Sequence, residues 1–165
     1  MKKRRDDFLR LIAELKADTD LLEELKKKNR KAESRIQQGR ADELDWSALG
    51  YTIHNIYNLL ENYFLRIAKF FENALDPVSW HKDLVERMIL EIEEVRPPLL
   101  DRALARGIYE LRAFRHVFRN IYQSELDPKR LELVQGGLDD TMGAFSKAHN
   151  RFIEELRAIA ERLED

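Results

Sequence analysis

Apolar residues recur at intervals of three and four along most of the chain, which is the spacing that places side chains on one face of an α-helix. The pattern is clearest in residues 47–74, where the apolar stripe consists of Ile53, Ile56, Leu60, Tyr63, Ile67, Phe70 and Ala74, widened by Tyr57, Phe64 and Phe71. The opposite face is polar and carries Asn55, Asn58, Asn62, Arg66 and Lys69. The wide stripe predicts a central helix that packs against more than one neighbour.

The first predicted helix covers residues 4–39 and is densely charged outside its apolar positions. Gly39 is expected to end it, because glycine readily adopts the left-handed conformation that often follows a helix. The segment Asp18-Thr19-Asp20 is expected to kink or restart the helix, since Asp and Thr are good N-terminal caps. A short connector over residues 42–46 then leads to the central helix.

Two Asp-Pro pairs predict the starts of later helices, because Asp caps an N-terminus and proline is tolerated at the first helical position. Asp76-Pro77 opens a third helix, which must end before Arg96-Pro97-Pro98 since proline cannot continue a helix. A fourth helix is predicted from residue 99 or 101 to residue 122. Asp127-Pro128 opens the last one, in which Gly136-Gly137 is expected to introduce a bend or a looser stretch.

These elements predict an all-α fold, an antiparallel bundle of four to five helices. A length of 165 residues suits one domain that covers residues 1–165. The composition agrees with this fold, because 36% of residues are charged and 44% are hydrophobic, with only 6 Gly and 4 Pro.

Composition also excludes several classes of function. The chain has no Cys, so disulfides, thiol nucleophiles and thiolate zinc sites are excluded, and a cytoplasmic location is expected. No stretch approaches the roughly 20 apolar residues that cross a bilayer, so no membrane association is expected. The net charge is −2, so any nucleic-acid site must be local.

The candidate chemistry lies in the fourth predicted helix. At about 100° per residue, Arg112, Arg115, His116 and Arg119 fall within a sector of about 100°. The other side of the helix is apolar and carries Leu111, Phe114, Val117, Phe118 and Ile121. Residues 99–122 contain five Arg against one Asp and one Glu, a local charge of +3 in a chain whose total is −2. The positive charge is therefore concentrated on a helix that the core can anchor.

Arginine and histidine together suit chemistry on a phosphodiester. Arginine donates two parallel hydrogen bonds to phosphate and stays charged, whereas histidine is the side chain that exchanges a proton near neutral pH. Such groups can cleave RNA without a metal or other cofactor, since a base can activate a 2′-hydroxyl for attack on the adjacent phosphate. We expect Arg112, His116 and Arg119 to be catalytic and Arg115 to bind RNA.

Two other interpretations of this face remain open. It can bind RNA, a nucleotide or an acidic partner without cleavage, or its arginines can form only surface ion pairs, which stabilise a fold little. Secondary candidates are His54, Glu61, Trp80 and His81, for which buried contacts that fix the register of the helices are the preferred explanation. No Glu lies three residues before any His, which excludes a ferritin-like di-iron site, and no metal site is expected.

Four segments in this order resemble the HepT-like branch of the HEPN superfamily. They are residues 49–61 (LGYTIHNIYNLLE), 80–88 (WHKDLVERM), 96–98 (RPP) and 111–119 (LRAFRHVFR), followed by Tyr122 and by Leu126-Asp127. The similarity spans roughly residues 45–156. It implies a HEPN-like helical bundle, usually a symmetric homodimer, that serves as the endoribonuclease toxin of a toxin–antitoxin pair.

The resemblance also implies a partner and a modified residue. The usual antitoxin is a small MNT-type nucleotidyltransferase, which adenylylates a tyrosine near the catalytic His of the toxin. The family signature separates Arg and His by four to six residues, whereas three residues separate Arg112 from His116. That spacing still places both on one face, one turn apart. Phe118 occupies the position where the family often has its tyrosine, which leaves Tyr122 and Tyr109 as candidates for adenylylation.

Overall fold

In the computed structural model of the protein, residues 3–72, 80–121 and 125–163 are described, except for the side chains of residues 80–82. These residues form five α-helices: α1 (Arg5–Gln37), α2 (Glu43–Phe71), α3 (Trp80–Ile89), α4 (Arg102–Arg119) and α5 (Pro128–Arg162). Helix α2 contacts each of the other four. The predicted all-α bundle and the central position of α2 are therefore confirmed.

The core follows the apolar stripe of α2. Ile53, Ile56 and Ile67 have no exposed surface, and the rings of Tyr63 and Phe64 pack edge to face with Phe145 of α5. Burial of such side chains stabilises a fold by about 1.5–3 kcal/mol each. The same core holds Leu111 and Phe114 of α4, so the fourth helix is anchored along its apolar side.

Helix α2 begins four residues earlier than the sequence pattern predicted, so the expected connector over residues 42–46 is wrong. The Asp42 carboxylate accepts from the backbone N–H of Asp45 at 3.0 Å, and the Asp45 carboxylate accepts from the N–H of Asp42 at 3.2 Å. This reciprocal cap satisfies two N–H groups at the helix start. Asp45 also accepts from Arg35 Nε at 2.7 Å, which ties the new start to the end of α1.

The predicted restart of the helix at Asp18-Thr19-Asp20 is also wrong, because α1 continues through the segment. Asp18 is buried and accepts from Arg66 Nε of α2 at 3.0 Å, so its carboxylate joins two helices instead of capping one. Helix α5 likewise continues through Gly136-Gly137 without interruption. The predicted start of α3 at Asp76-Pro77 lies outside the described residues.

A short turn between α3 and α4 fixes where α4 begins. The side chain of Arg96 is almost fully buried and donates from Nη2 to the carbonyl of Arg87 at 2.6 Å. The backbone N–H groups of Leu99 and Leu100 both donate to the carbonyl of Met88, at 2.9 and 3.0 Å. These bonds attach the turn to the last residues of α3, and Asp101 then caps α4 by accepting from the N–H of Leu104.

Gly39 follows the end of α1 with a φ of +77°, as its predicted role requires. No atom lies within 4 Å of the position that a Cβ would take, so the backbone conformation alone opposes a side chain. We expect Gly39→Ala to lower the free energy of unfolding by about 1 kcal/mol, the cost of the left-handed region for an L-residue. Gly39→Asn should lose less, because Asn tolerates this region. Urea denaturation of the three proteins tests the order.

A buried hydrogen bond joins α2 to α5, between Tyr63 Oη and His149 Nδ1 at 2.7 Å. Burial lowers the pKa of His149 below its ordinary value of 6.5, and the nearby Lys16 lowers it further. The folded protein therefore favours the neutral imidazole.

This preference predicts acid-sensitive stability. Below pH of about 6.5 the unfolded chain binds a proton that folded His149 does not yet bind, so the free energy of unfolding falls as pH decreases through this range. His149→Gln should flatten the dependence, measured by urea denaturation from about pH 8 to about pH 5.5. An unchanged slope in the variant would contradict the assignment. His54, whose pKa is also lowered, accounts for part of any remaining slope.

Candidate functional site

Helix α4 is continuous through its four candidate residues, which therefore form one strip along the helix. We call Arg112, Arg115, His116 and Arg119 the cationic strip. Within this strip Arg112 and Arg115 are partly buried, whereas His116 and Arg119 are exposed. Leu111 and Phe114 are buried beneath it. The strip therefore runs from the edge of the core to the solvent, and the imidazole of His116 lies at its outer side.

Arg115 is attached to α2. Its Nε donates to Oδ1 of Asn58 at 2.8 Å, and its Nη2 lies 3.5 Å from Oε1 of Glu61. The guanidinium also lies over the ring of Tyr57, 5.6 Å from the centroid, which is a cation–π distance. Three side chains of one helix thus hold the cation that the sequence assigned to RNA binding.

Tyr57 and Glu61, which both contact Arg115, also contact each other within α2. The hydroxyl of Tyr57 donates to Oε2 of Glu61 at 3.2 Å, so the two carboxylate oxygens of Glu61 face Tyr57 and Arg115 respectively. Burial raises the pKa of the Tyr57 phenol well above its usual value, and the negative charge of Glu61 raises it further. Tyr57 is therefore a neutral donor at physiological pH.

His54 lies one turn before Asn58 and beside the end of α4. Its Nε2 is 3.0 Å from Nδ2 of Asn58, and its ring is 5.2 Å from the ring of Phe118. Burial lowers the pKa of His54, and the positive charges of Arg115 and Arg119 lower it further. We call His54, Tyr57, Asn58, Glu61 and Arg115 the α2–α4 polar network.

Helix α2 approaches α4 and α5 closely at Gly50, next to the α2–α4 polar network. A Cβ at Gly50 of α2 would lie 3.0 Å from the ring of Phe118 and 3.5 Å from Leu131 of α5. Phe118 also stacks on Phe114, with ring centroids 5.8 Å apart. The last turn of α4, which carries His116 and Arg119, thus packs against α2 through Phe118.

A family model described as HepT-like protein matches residues 48–156 of the chain. This match covers α3 and α4 completely, most of α2 and α5, and all of the cationic strip. The chain belongs to the HepT-like family. The HEPN superfamily and the toxin–antitoxin context that the sequence resemblance implied are consistent with this family. No curated protein and no solved structure matches the chain.

The remaining candidate residues of this HepT-like protein differ in how they are placed. Tyr109 lies on α4 before the strip, and its hydroxyl donates to Glu86 of α3. Burial and this acceptor raise the pKa of Tyr109 to about 12. Tyr122 lies outside the described residues, as do the side chains of Trp80 and His81.

The described residues also show whether the chain has a metal-binding group or a membrane-crossing helix. In the described part of the chain, no group of three or more His, Asp or Glu residues could hold a metal ion. Over the same residues, none of the helices combines the length and apolar character needed to cross a membrane.

The structure brings His54 and Glu61 together with Arg115, which the sequence proposed only as separate candidates. Asn58 was assigned to the polar face that points away from the core, and its contact with α4 was missed. The available signal was its position, one turn after His54 and less than one turn before Glu61, on a helix predicted to have several neighbours.

Proposed function

We propose that this HepT-like protein is a metal-independent endoribonuclease, the toxin of a HepT/MNT-type toxin–antitoxin pair. The observation that carries the proposal is the exposed imidazole of His116 in a cationic strip on a helix that is fixed in the core. A rigid strip of this kind presents proton-transfer and charge-stabilising groups without reorganisation during the reaction.

In the proposed reaction His116 removes the proton of a 2′-hydroxyl. The 2′-oxygen then forms a bond to the adjacent phosphorus, and the bond from phosphorus to the 5′-oxygen breaks. The leaving 5′-oxygen takes up a proton from water, His116 returns the proton it removed to the solvent, and the products are a 2′,3′-cyclic phosphate and a 5′-hydroxyl. Arg112 and Arg119 stabilise the negative charge that develops on the phosphate. DNA lacks the nucleophile and should not be cleaved.

In the proposal, the role of Arg115 differs from the direct RNA binding that its sequence position suggested. Its contacts with Asn58 and Glu61 attach it to α2, so in the proposal it adds positive potential beneath the strip and sets the distance between α2 and α4. Direct contact with RNA then falls to Arg112, His116 and Arg119, of which His116 and Arg119 are exposed.

The biological setting belongs to the same proposal. The chain would act as one domain in the cytoplasm, as a homodimer with two strips around one cleft. An MNT-type nucleotidyltransferase would be its antitoxin and would modify Tyr122 or Tyr109. The hydroxyl of Tyr109 is engaged by Glu86, so its modification requires that hydrogen bond to break.

The test is a cleavage assay on purified protein in the presence of EDTA. We expect an RNA oligonucleotide to be cut to products with cyclic phosphate ends, while the same sequence with 2′-deoxy or 2′-O-methyl sugars stays intact. Cutting of the modified strands, or loss of cutting on removal of metal ions, would contradict the proposed reaction.

A second candidate is a non-catalytic HepT-like module that binds RNA through the same strip. The attachment of Arg115 to α2 favours it, as does the spacing of three residues between Arg112 and His116. It predicts that RNA binds in a salt-dependent manner and is recovered uncut.

A further inference from the structure

Asn58 lies between the cationic strip and the imidazole of His54. Its Oδ1 is 2.8 Å from Nε of Arg115 on one side, and its Nδ2 is 3.0 Å from Nε2 of His54 on the other. One amide thus connects a guanidinium of α4 with an imidazole of α2.

The orientation of this amide follows from the chemistry of its neighbours. A guanidinium has only N–H donors, so the group that faces Nε of Arg115 must be the amide oxygen. The NH₂ group of Asn58 therefore faces His54 and donates, and Nε2 of His54 must accept. A neutral imidazole that accepts at Nε2 carries its proton on Nδ1, an atom that is buried and has no hydrogen-bond partner among the described residues.

We infer that Asn58 is a positioning residue that relays the donor character of Arg115 to His54 and holds its ring as the neutral Nδ1–H tautomer. The consequence for catalysis rests on the proposed function. His54 is then not available for proton transfer. Of the imidazoles in the described part of the cationic strip and of the α2–α4 polar network, His116 is the one that can exchange protons with substrate.

Protonation of His54 is opposed in both orientations of the amide. An N–H at Nε2 would meet the NH₂ group of Asn58, and turning the amide to accept it would place that NH₂ group against the Nε–H of Arg115. In each orientation of the amide, two hydrogen-bond donors face each other without an acceptor between them. The charged groups around the ring act in the same direction, since Arg115 and Arg119 of α4 lower the pKa of His54. Glu61, the acidic member of the network, lies 3.5 Å from Arg115 and hydrogen-bonds Tyr57.

The arrangement keeps an additional positive charge away from the cationic strip. A protonated His54 would add positive charge beside Arg115 and Arg119 and would make RNA contact depend on two imidazoles. Asn58 is thus expected to influence the pH dependence of the reaction without touching RNA.

The test reads the tautomer directly, from ¹⁵N–¹H correlations of the histidine rings in the full-length protein. In the wild type we expect the His54 proton on Nδ1 and an unprotonated Nε2 throughout the neutral range. A carboxylate can accept from both neighbours, so Asn58→Asp should move the proton to Nε2 and raise the pKa of His54 above that of the wild type. Asn62→Asp adds the same charge one turn further along α2 and should leave His54 unchanged.

A second variant changes the other hydrogen-bond neighbour of Asn58 and tests the same His54 ring. Arg115→Gln offers an acceptor to Asn58, which frees the amide to turn and should shift His54 toward the Nε2–H tautomer. In the cleavage assay, the pH–rate profile of Asn58→Asp should gain an ionisation in the neutral range that the profile of the wild type lacks.

A wild-type His54 with its proton on Nε2 would overturn the inference, and this spectrum requires no variant to fold. So would an Asn58→Asp protein that is folded by circular dichroism and keeps the wild-type tautomer. Because the spectra are recorded without RNA, the two proposals fail separately. An inactive wild type with the Nδ1–H tautomer overturns the cleavage proposal alone and leaves the assignment of the His54 tautomer supported.

Discussion

His116→Ala will lower the rate of RNA cleavage by about 10²- to 10⁴-fold, the usual contribution of a general acid or base. The side chain is exposed, so its removal should leave the fold intact, and the thermal unfolding midpoint should stay within error of the wild type. RNA binding should weaken far less than cleavage, because Arg112, Arg115 and Arg119 remain. The measurement is a single-turnover rate with EDTA present.

The matched control is Arg106→Ala, which removes an exposed cation from an earlier turn of α4. On an ideal helix Arg106 lies about 130° from the centre of the strip. Its removal should leave cleavage within a factor of about two, since exposed charges outside a site contribute little. Equal losses in the two variants would mean that net charge, and not the imidazole, governs the activity.

Gly107→Ala will destabilise the protein by about 1–3 kcal/mol, the usual cost of overpacking. A Cβ at this position would lie 2.3 Å from Oγ1 of Thr141 and 3.0 Å from its Cγ2, which is closer than real atoms approach. The glycine thus lets α4 and α5 pack closely. An alanine in place of a helical glycine ordinarily gains up to about 1 kcal/mol, so the expected sign is opposite to that of helix propensity.

Two comparison variants isolate the packing effect. Gly143→Ala on α5 has no atom within 4 Å of its new Cβ and should be neutral or stabilising by up to about 1 kcal/mol. Thr141→Ala combined with Gly107→Ala should recover much of the loss, since it removes the two nearest atoms. Urea denaturation gives each free energy. Additive losses in the double variant would rule out a direct clash between these two side chains.

Much of the fold could be predicted from the sequence because long amphipathic helices carry a strong periodic signal. The ends of helices were harder to predict. The start of α2 depends on a reciprocal cap in which Asp45 also pairs with Arg35, a residue of α1 that lies 10 positions earlier in the chain. Asp18 was predicted as a cap because local preference favours it there. Its tertiary partner Arg66, 48 residues away, determines its role instead.

The candidate site could be predicted only in part, for a similar reason. A rotation of about 100° per residue places Arg115 with the other cations, but it does not indicate which neighbouring helix the side chain reaches. Arg115 lies nearest the apolar side of α4, and its length allows the guanidinium to contact Asn58 across the helix interface. On an ideal helix Asn58 lies on the polar face of α2, about 100° from Tyr57, the nearest residue of the apolar stripe. A polar side chain on such a face can point to solvent or bridge to a neighbouring helix, and periodicity does not distinguish the two.

Histidine ring spectra recorded with RNA show whether the outer edge of the cationic strip contacts the nucleic acid. A 2′-O-methyl RNA oligonucleotide, which cannot be cleaved by the proposed reaction, is titrated into the isotope-labelled protein. We predict saturable shifts of the His116 ring resonances, while the buried ring of His149 stays unchanged. A titration that reaches a large molar excess of RNA and leaves His116 unperturbed would contradict the account.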